Sequence, residues 1–188
     1  MPLTGAGAER PGQSRGGADR RWVSAVRLHH AAVDAFLRAA ASCGTERWVM
    51  PRAPGKWSPA QIAEHCTLIF EQLVREMDGG PPFAARASRW RQRMYRWLYL
   101  PPILATGSFP DGVRAPREAR PAEDSVADRL TIMTRLRAAA DAFERRIDDR
   151  HRVPGFGLSH PYFGRLGPIR GIRLSTLHLE HHRRQLEV

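Results

Sequence analysis

The sequence predicts an all-α protein built as a four-helix bundle, with an extra shorter helix and a long proline-rich connection. Three observations carry this prediction. Apolar residues recur at three- and four-residue steps along four long stretches and one shorter one. Glycine, proline and capping residues mark most of the ends of these stretches. Nowhere does the chain show the strict alternation of a half-buried strand, and it has no internal repeat. Amphipathic helices of this length bury their stripes against one another, which is the bundle solution. With 188 residues the chain makes a single domain. Residues 1–20 are expected to form a flexible N-terminal tail, and 21–188 the bundle domain.

The tail is assigned on its glycines and its lack of apolar periodicity. A first helix is expected from about Arg21 to Cys43, with Val26, His30, Val33, Phe36, Leu37 and Ala40 on its stripe and Gly44 as its stop. A loop from Trp48 to Trp57 follows. The second helix has the clearest start in the chain. Ser58 is placed to cap it, Pro59 occupies the first helical position, and Gln61 completes a capping box. Ile62, His65, Ile69, Leu73 and Glu76 then share one face, and Gly79 to Pro82 ends the helix. The shorter helix is expected from about Ala84 to Leu100. Its Trp90, Met94, Trp97 and Leu98 are spaced as a core face.

From Pro101 to Pro121 five prolines and two glycines predict an extended connection. A loop of about 20 residues is uncommon in a compact domain and is often functional. A long helix follows, from Asp124 or Ser125 to about Asp149. It carries Val126, Leu130, Met133, Leu136, Ala140, Phe143 and Ile147. Residues 151–167 are rich in glycine, proline and aromatics. The last helix starts near Pro168, with Ile172, Leu174, Leu177, Leu179 and Leu186.

Composition narrows the function classes. Apolar residues at 42% and charged residues at 26% exclude wholesale disorder. Two cysteines, Cys43 and Cys66, make no disulfide framework, so a reduced, cytoplasmic setting is expected. No apolar run reaches membrane-spanning length, and the N-terminal arginines are followed by no apolar segment of a secretory signal. The formal net charge is +11, yet only Lys56 among 30 basic residues is lysine. Such an arginine bias is also what a GC-rich coding sequence produces, so the charge says little about partners.

The histidines carry the most specific signal. On a helix, residues four apart face the same way, with Cβ atoms about 5–6 Å apart. His178 and His182 satisfy this, whereas His181 is turned about 100° from His182. Catalytic zinc sites use about three protein ligands and leave a position open. A third ligand must come from another helix. His65, in the middle of an apolar stripe, is the best candidate. The competing reading makes His65 a hydrogen-bonded core residue and the pair surface histidines. His29, His30, His151 and His160 have no evident partner, although His160 sits in a segment that reads as a structured turn.

The segment from Trp57 through the capped start at Ser58 and Pro59 to His65 resembles the opening of the second helix of the DinB-like superfamily. His160 to Leu166, followed by His178, His181, His182 and Gln185, resembles its C-terminal half. The order and spacing of the blocks agree over about residues 21–188. This resemblance implies an up-down-down-up four-helix bundle with three metal-binding histidines at His65, His178 and His182. It implies a divalent ion, commonly zinc or nickel, and frequent homodimers. Some members are thiol-dependent transferases or isomerases using bacillithiol, mycothiol or glutathione, and many have no assigned activity. The segment 84–121 and the early end at Val188 match no motif of the family.

Three neutral imidazoles leave an ion its full charge and open positions, which lower the pKa of bound water toward about 7 or stabilise a thiolate. The expected function is therefore metal-dependent chemistry on a small molecule, as a thiol S-transferase or a hydrolase. A metal-stabilised scaffold without catalysis is the alternative. Arg86, Arg89 and Arg93 fit either carboxylates of a thiol cosubstrate or a solvated face. Cys66 follows His65 but points away, which fits burial better than ligation. Glu64 and Glu180 receive no role, and Trp48 and Trp57 are expected in packing or a lid. Eight arginines among aromatics in residues 84–121 raise a nucleic-acid surface as a further alternative. Placing Trp90 and Trp97 in the core argues against it.

Overall fold

The computed structural model describes residues 11–110, 112–122 and 128–187. Four long helices form the bundle: α1 (Pro11–Ser42), α3 (Pro59–Met77), α6 (Arg129–Arg150) and α7 (Pro168–Leu186). Between them lie α2 (Thr45–Val49), α4 (Arg89–Leu98), α5 (Leu100–Thr106), a 3-10 turn (Arg117–Ala119) and a hairpin of β1 (Leu158–His160) and β2 (Gly164–Leu166).

Cross-helix hydrogen bonds and salt bridges show the directions. Arg135 of α6 reaches Glu64 and Glu71 of α3, and Arg146 reaches Asp78 further along, so α3 and α6 run parallel. Against α1 the order reverses: Arg137 pairs with Asp34, Glu144 with His29, and Asp148 with Trp22. At the far end, Arg47 just past α1 donates to the Leu186 carbonyl at the end of α7, which sets α1 parallel to α7. The result is an up-down-down-up bundle in which α1 packs mainly on α7 and α3 mainly on α6. Phe36, Phe70, Phe143, Leu136, Ile172 and Leu179 fill its centre. Among the described residues no helix is long and apolar enough to cross a membrane.

The capping box of α3 forms as its residues predict. Ser58 Oγ accepts from the Gln61 amide at 3.3 Å, and Gln61 Oε1 accepts from the Ser58 amide at 3.0 Å. Several expectations are corrected. Helix α1 begins at Pro11, so residues 11–20 of the expected tail are helical; residues 1–10 lie outside the described set. Extending an existing helix is far easier than nucleating one. Asp19 paired with Arg152, and Trp22 bonded to Asp148, hold this end against α6. The expected start of α6 at Asp124 or Ser125 lies outside the described residues, and Asp128 caps the helix by accepting from the Thr131 amide at 3.0 Å.

The segment 84–121 departs most. Pro101 and Pro102 open α5 instead of prolonging a loop, because the first turn of a helix has no use for their missing N–H groups. Gly107, at φ 69°, ends it. Trp90 and Trp97 are 70% and 80% exposed, not core. Their stripe faces out because the opposite side of α4 is anchored to the hairpin. Arg96 Nε donates to the Phe163 carbonyl at 2.9 Å, and Gln92 sits against Gly164. Exposing the tryptophans also removes the objection raised above to a surface role for this arm. The buried face of the arm, Leu100 and Ile103, joins Phe163, Leu166 and Leu174 in a second apolar cluster. The hairpin, absent from the sequence expectation, pairs Leu158 with Leu166 and His160 with Gly164. Three residues per strand are too few to show alternation.

Candidate metal centre

Helix α3 and helix α7 meet beside the arm and the hairpin. At their contact the His65, His178 and His182 rings converge. Their nearest ring nitrogens all lie within 4.8 Å of one another. Ring centroids are 5.3 Å apart for His65 and His178, 5.1 Å for His65 and His182, and 4.5 Å for His178 and His182. The i, i+4 pair on α7 faces inward, and the mid-stripe histidine of α3 faces it.

Two of the rings are tied off at the back. His65 Nδ1 lies 2.6 Å from the Ala119 carbonyl, which only accepts, so Nδ1 carries the proton and Nε2 its lone pair. His182 Nδ1 donates to Gln185 Oε1 at 2.9 Å, and the Gln185 amide donates in turn to His181 Nε2 at 3.0 Å. His181 therefore supports the centre through Gln185 and stands outside the three. His182 Nε2 and His178 Nε2 are 3.2 Å apart. Two nitrogens bound tetrahedrally at about 2.0–2.1 Å from one ion would be separated by about 3.3 Å. Neutral imidazoles with their second nitrogen bonded to a carbonyl or amide are the usual dress of zinc-ligating histidine. The donor set thus fits a divalent ion.

Burial keeps these rings neutral. His65 is 3% exposed and His182 7%. Desolvation pushes the His65 pKa down to about 4, against the opposing pull of the Ala119 bond. It pushes His182 down to about 3, helped by the neighbouring His65. His178 is lowered too, by burial and then by the adjacent histidines. Neutral rings at pH 7 are the form that binds metal.

The three nitrogens open onto a cavity of about 470 Å³. Its walls are mainly apolar and aromatic, with Trp57, Phe83, Tyr95, Tyr99, Phe109 and Phe163 among them. Trp57 stands against His65, with ring centroids 4.8 Å apart. Trp48 is instead buried in the bundle core under the Arg129 guanidinium. Cys66 is buried, its thiol pushed well up by desolvation, and it takes no part in the cluster. Glu64 is held by Arg135 and Glu180 by Arg183. Arg86, Arg89 and Arg93 do not line the cavity and lie on the solvated side of the arm; among the described residues Arg114 is the arginine at its wall.

The remaining histidines find partners that the sequence did not reveal. His29, buried in the core, bonds Glu144 at 2.7 Å, and His30 lies 3.3 Å from the other oxygen of that carboxylate. His151 stacks on Trp22 at 4.2 Å. His30, Asp141 and Glu144 form a second close group, but Glu144 is engaged by both histidines and Asp141 lies near Arg137. Gln185, three residues after His182, was within reach of an i, i+3 argument. The Ala119 carbonyl was not, because a backbone acceptor leaves no mark in residue type.

Comparison with known proteins agrees with the architecture. The crystal structure of TT2238, a four-helix bundle protein, superposes with a TM-score of 0.52 at 20% identity, covering 88% of this chain and 98% of that one. At that identity the likeness speaks for the fold alone. No curated protein is a significant match to this chain. The sequence profile of the DinB superfamily matches residues 28–186, and the chain belongs to that superfamily.

Proposed function

We propose that this protein binds one divalent metal ion through His65, His178 and His182 and uses it in a reaction on a small molecule, as a thiol S-transferase or a hydrolase. The observation that carries the reading is the convergence of three neutral imidazoles whose nearest nitrogens lie within 4.8 Å of one another. When bound, the ion supplies Lewis acidity that makes a nucleophile of water or a thiol at neutral pH. The chain's own groups hold and orient. Ala119 and Gln185 fix the His65 and His182 rings in the ligating tautomer. The aromatic walls make the surroundings of the three rings apolar and leave space for a substrate. That space favours a reactive centre over a purely structural one, because structural zinc sites are closed by four protein ligands.

Elemental analysis of the purified protein tests the reading. Close to one divalent ion per chain is expected, and His65→Ala and His182→Ala should each lose most of it. Full occupancy in both variants would refute the assignment.

A further inference from the structure

We propose that His160 anchors the cavity's ligand, presenting its Nε2–H as a hydrogen-bond donor to a carbonyl or carboxylate oxygen on an aromatic small molecule. The inference rests on the cavity being the functional site and adds a residue and a ligand class to it.

The tautomer of His160 is dictated by its turn. The three-residue loop of the hairpin closes on Gly164, whose φ of 65° suits a residue without a Cβ. Within that loop the backbone amides of Tyr162 and Phe163 point at His160 Nδ1, at 3.2 and 3.1 Å. A nitrogen that accepts from N–H groups carries no proton of its own, so in the neutral ring the proton sits on Nε2. The ring lies against Phe163, with centroids 4.5 Å apart and planes 16° from parallel, which fixes its orientation. Burial lowers the His160 pKa to about 4, in keeping with a neutral ring at pH 7.

His160 lines the same cavity as the three-histidine cluster, and its Nε2–H makes no hydrogen bond to any described residue. Its polarity is opposite to that of the cluster. His65 and His182 present lone pairs, suited to a cation; His160 presents a donor, suited to an oxygen. Among the described lining residues there is no carboxylate, and Arg114 is the one arginine. The polar features thus favour an acceptor-bearing or anionic group, while the aromatic walls favour an apolar body. A cavity of about 470 Å³ falls in the range of small-molecule sites.

A purely structural role, capping the turn, makes a different prediction. In His160→Asn the amide oxygen can replace Nδ1 as acceptor for the two backbone amides, as asparagine does in turns, while the donor at the Nε2 position is lost, because the NH2 of the shorter side chain does not reach it. Zinc-loaded full-length protein is titrated with benzoate by calorimetry, and zinc content and melting temperature are measured on the same samples. Wild type should bind benzoate, and His160→Asn should bind about tenfold more weakly at unchanged zinc content and melting temperature. Equal affinity in the two proteins, or no benzoate binding by wild type, overturns the proposal. Loss of zinc from wild type would instead refute the metal reading. Should His160→Asn fail to fold, nitrogen NMR of wild type decides: a protonated Nε2 that shifts with benzoate is expected, and a protonated Nδ1 or an unmoved Nε2 overturns the proposal.

Discussion

At the scale of single residues, the centre depends on groups behind the histidines as much as on the histidines. Ala119 brings only a carbonyl, and Gln185 only an amide, yet each determines which nitrogen faces the cavity. The same burial that keeps the rings neutral makes the fold sensitive to acid. An unfolded chain protonates histidine near its ordinary pKa of about 6.5. Folded His65 resists protonation until about 4 and His182 until about 3. Between those values the unfolded state binds more protons, so stability is complete above about 6.5 and declines as pH falls toward 4. Metal-free protein should melt at a lower temperature at pH 5 than at pH 7. An unchanged melting temperature across that interval would show that these rings are solvated.

Among the elements, the hairpin and the arm of α4 and α5 decide the shape of the cavity. The hairpin leaves no space at its base. A Cβ on Gly157 would lie 2.6 Å from the Leu166 carbonyl oxygen, a backbone atom of the paired strand. Gly157→Ala should therefore push the strands apart and cost about 1–3 kcal/mol, read as a lower denaturant midpoint. A variant as stable as wild type would mean that the strands separate freely there. The arm shows a limit of periodicity. The stripe of Trp90, Met94 and Trp97 is a true amphipathic pattern, but its tryptophans face solvent and not the core. Contacts of Gln92 and Arg96 with the hairpin backbone turn the polar side inward.

Over the whole molecule, the proposed ion would join α3 to α7, which pack more closely on other partners than on each other. A ligand that binds only the folded state at 1,000 times its dissociation constant adds about 4 kcal/mol. Chelation should accordingly lower the melting temperature of wild type and leave that of His65→Ala unchanged. A wild-type transition indifferent to chelator would deny the ion this bridging role.

Local chemistry made much of this legible before any tertiary contact was known. Ser58, Pro59 and Gln61 announce α3 because capping is settled within one turn, and Pro168 marks the start of α7 for the same reason. The facing of His178 and His182 follows from helical pitch alone. The DinB-like resemblance added the bundle order and made a ligand of His65, which its place in the middle of an apolar stripe had already singled out as the candidate third. Beyond those, the sequence stopped. The Ala119 carbonyl behind His65, the two amides that fix His160 and the outward turn of Trp97 depend on segments distant in sequence. Their positions are decided by which surfaces pack, and packing is a property of the assembled bundle that no short window of residues contains.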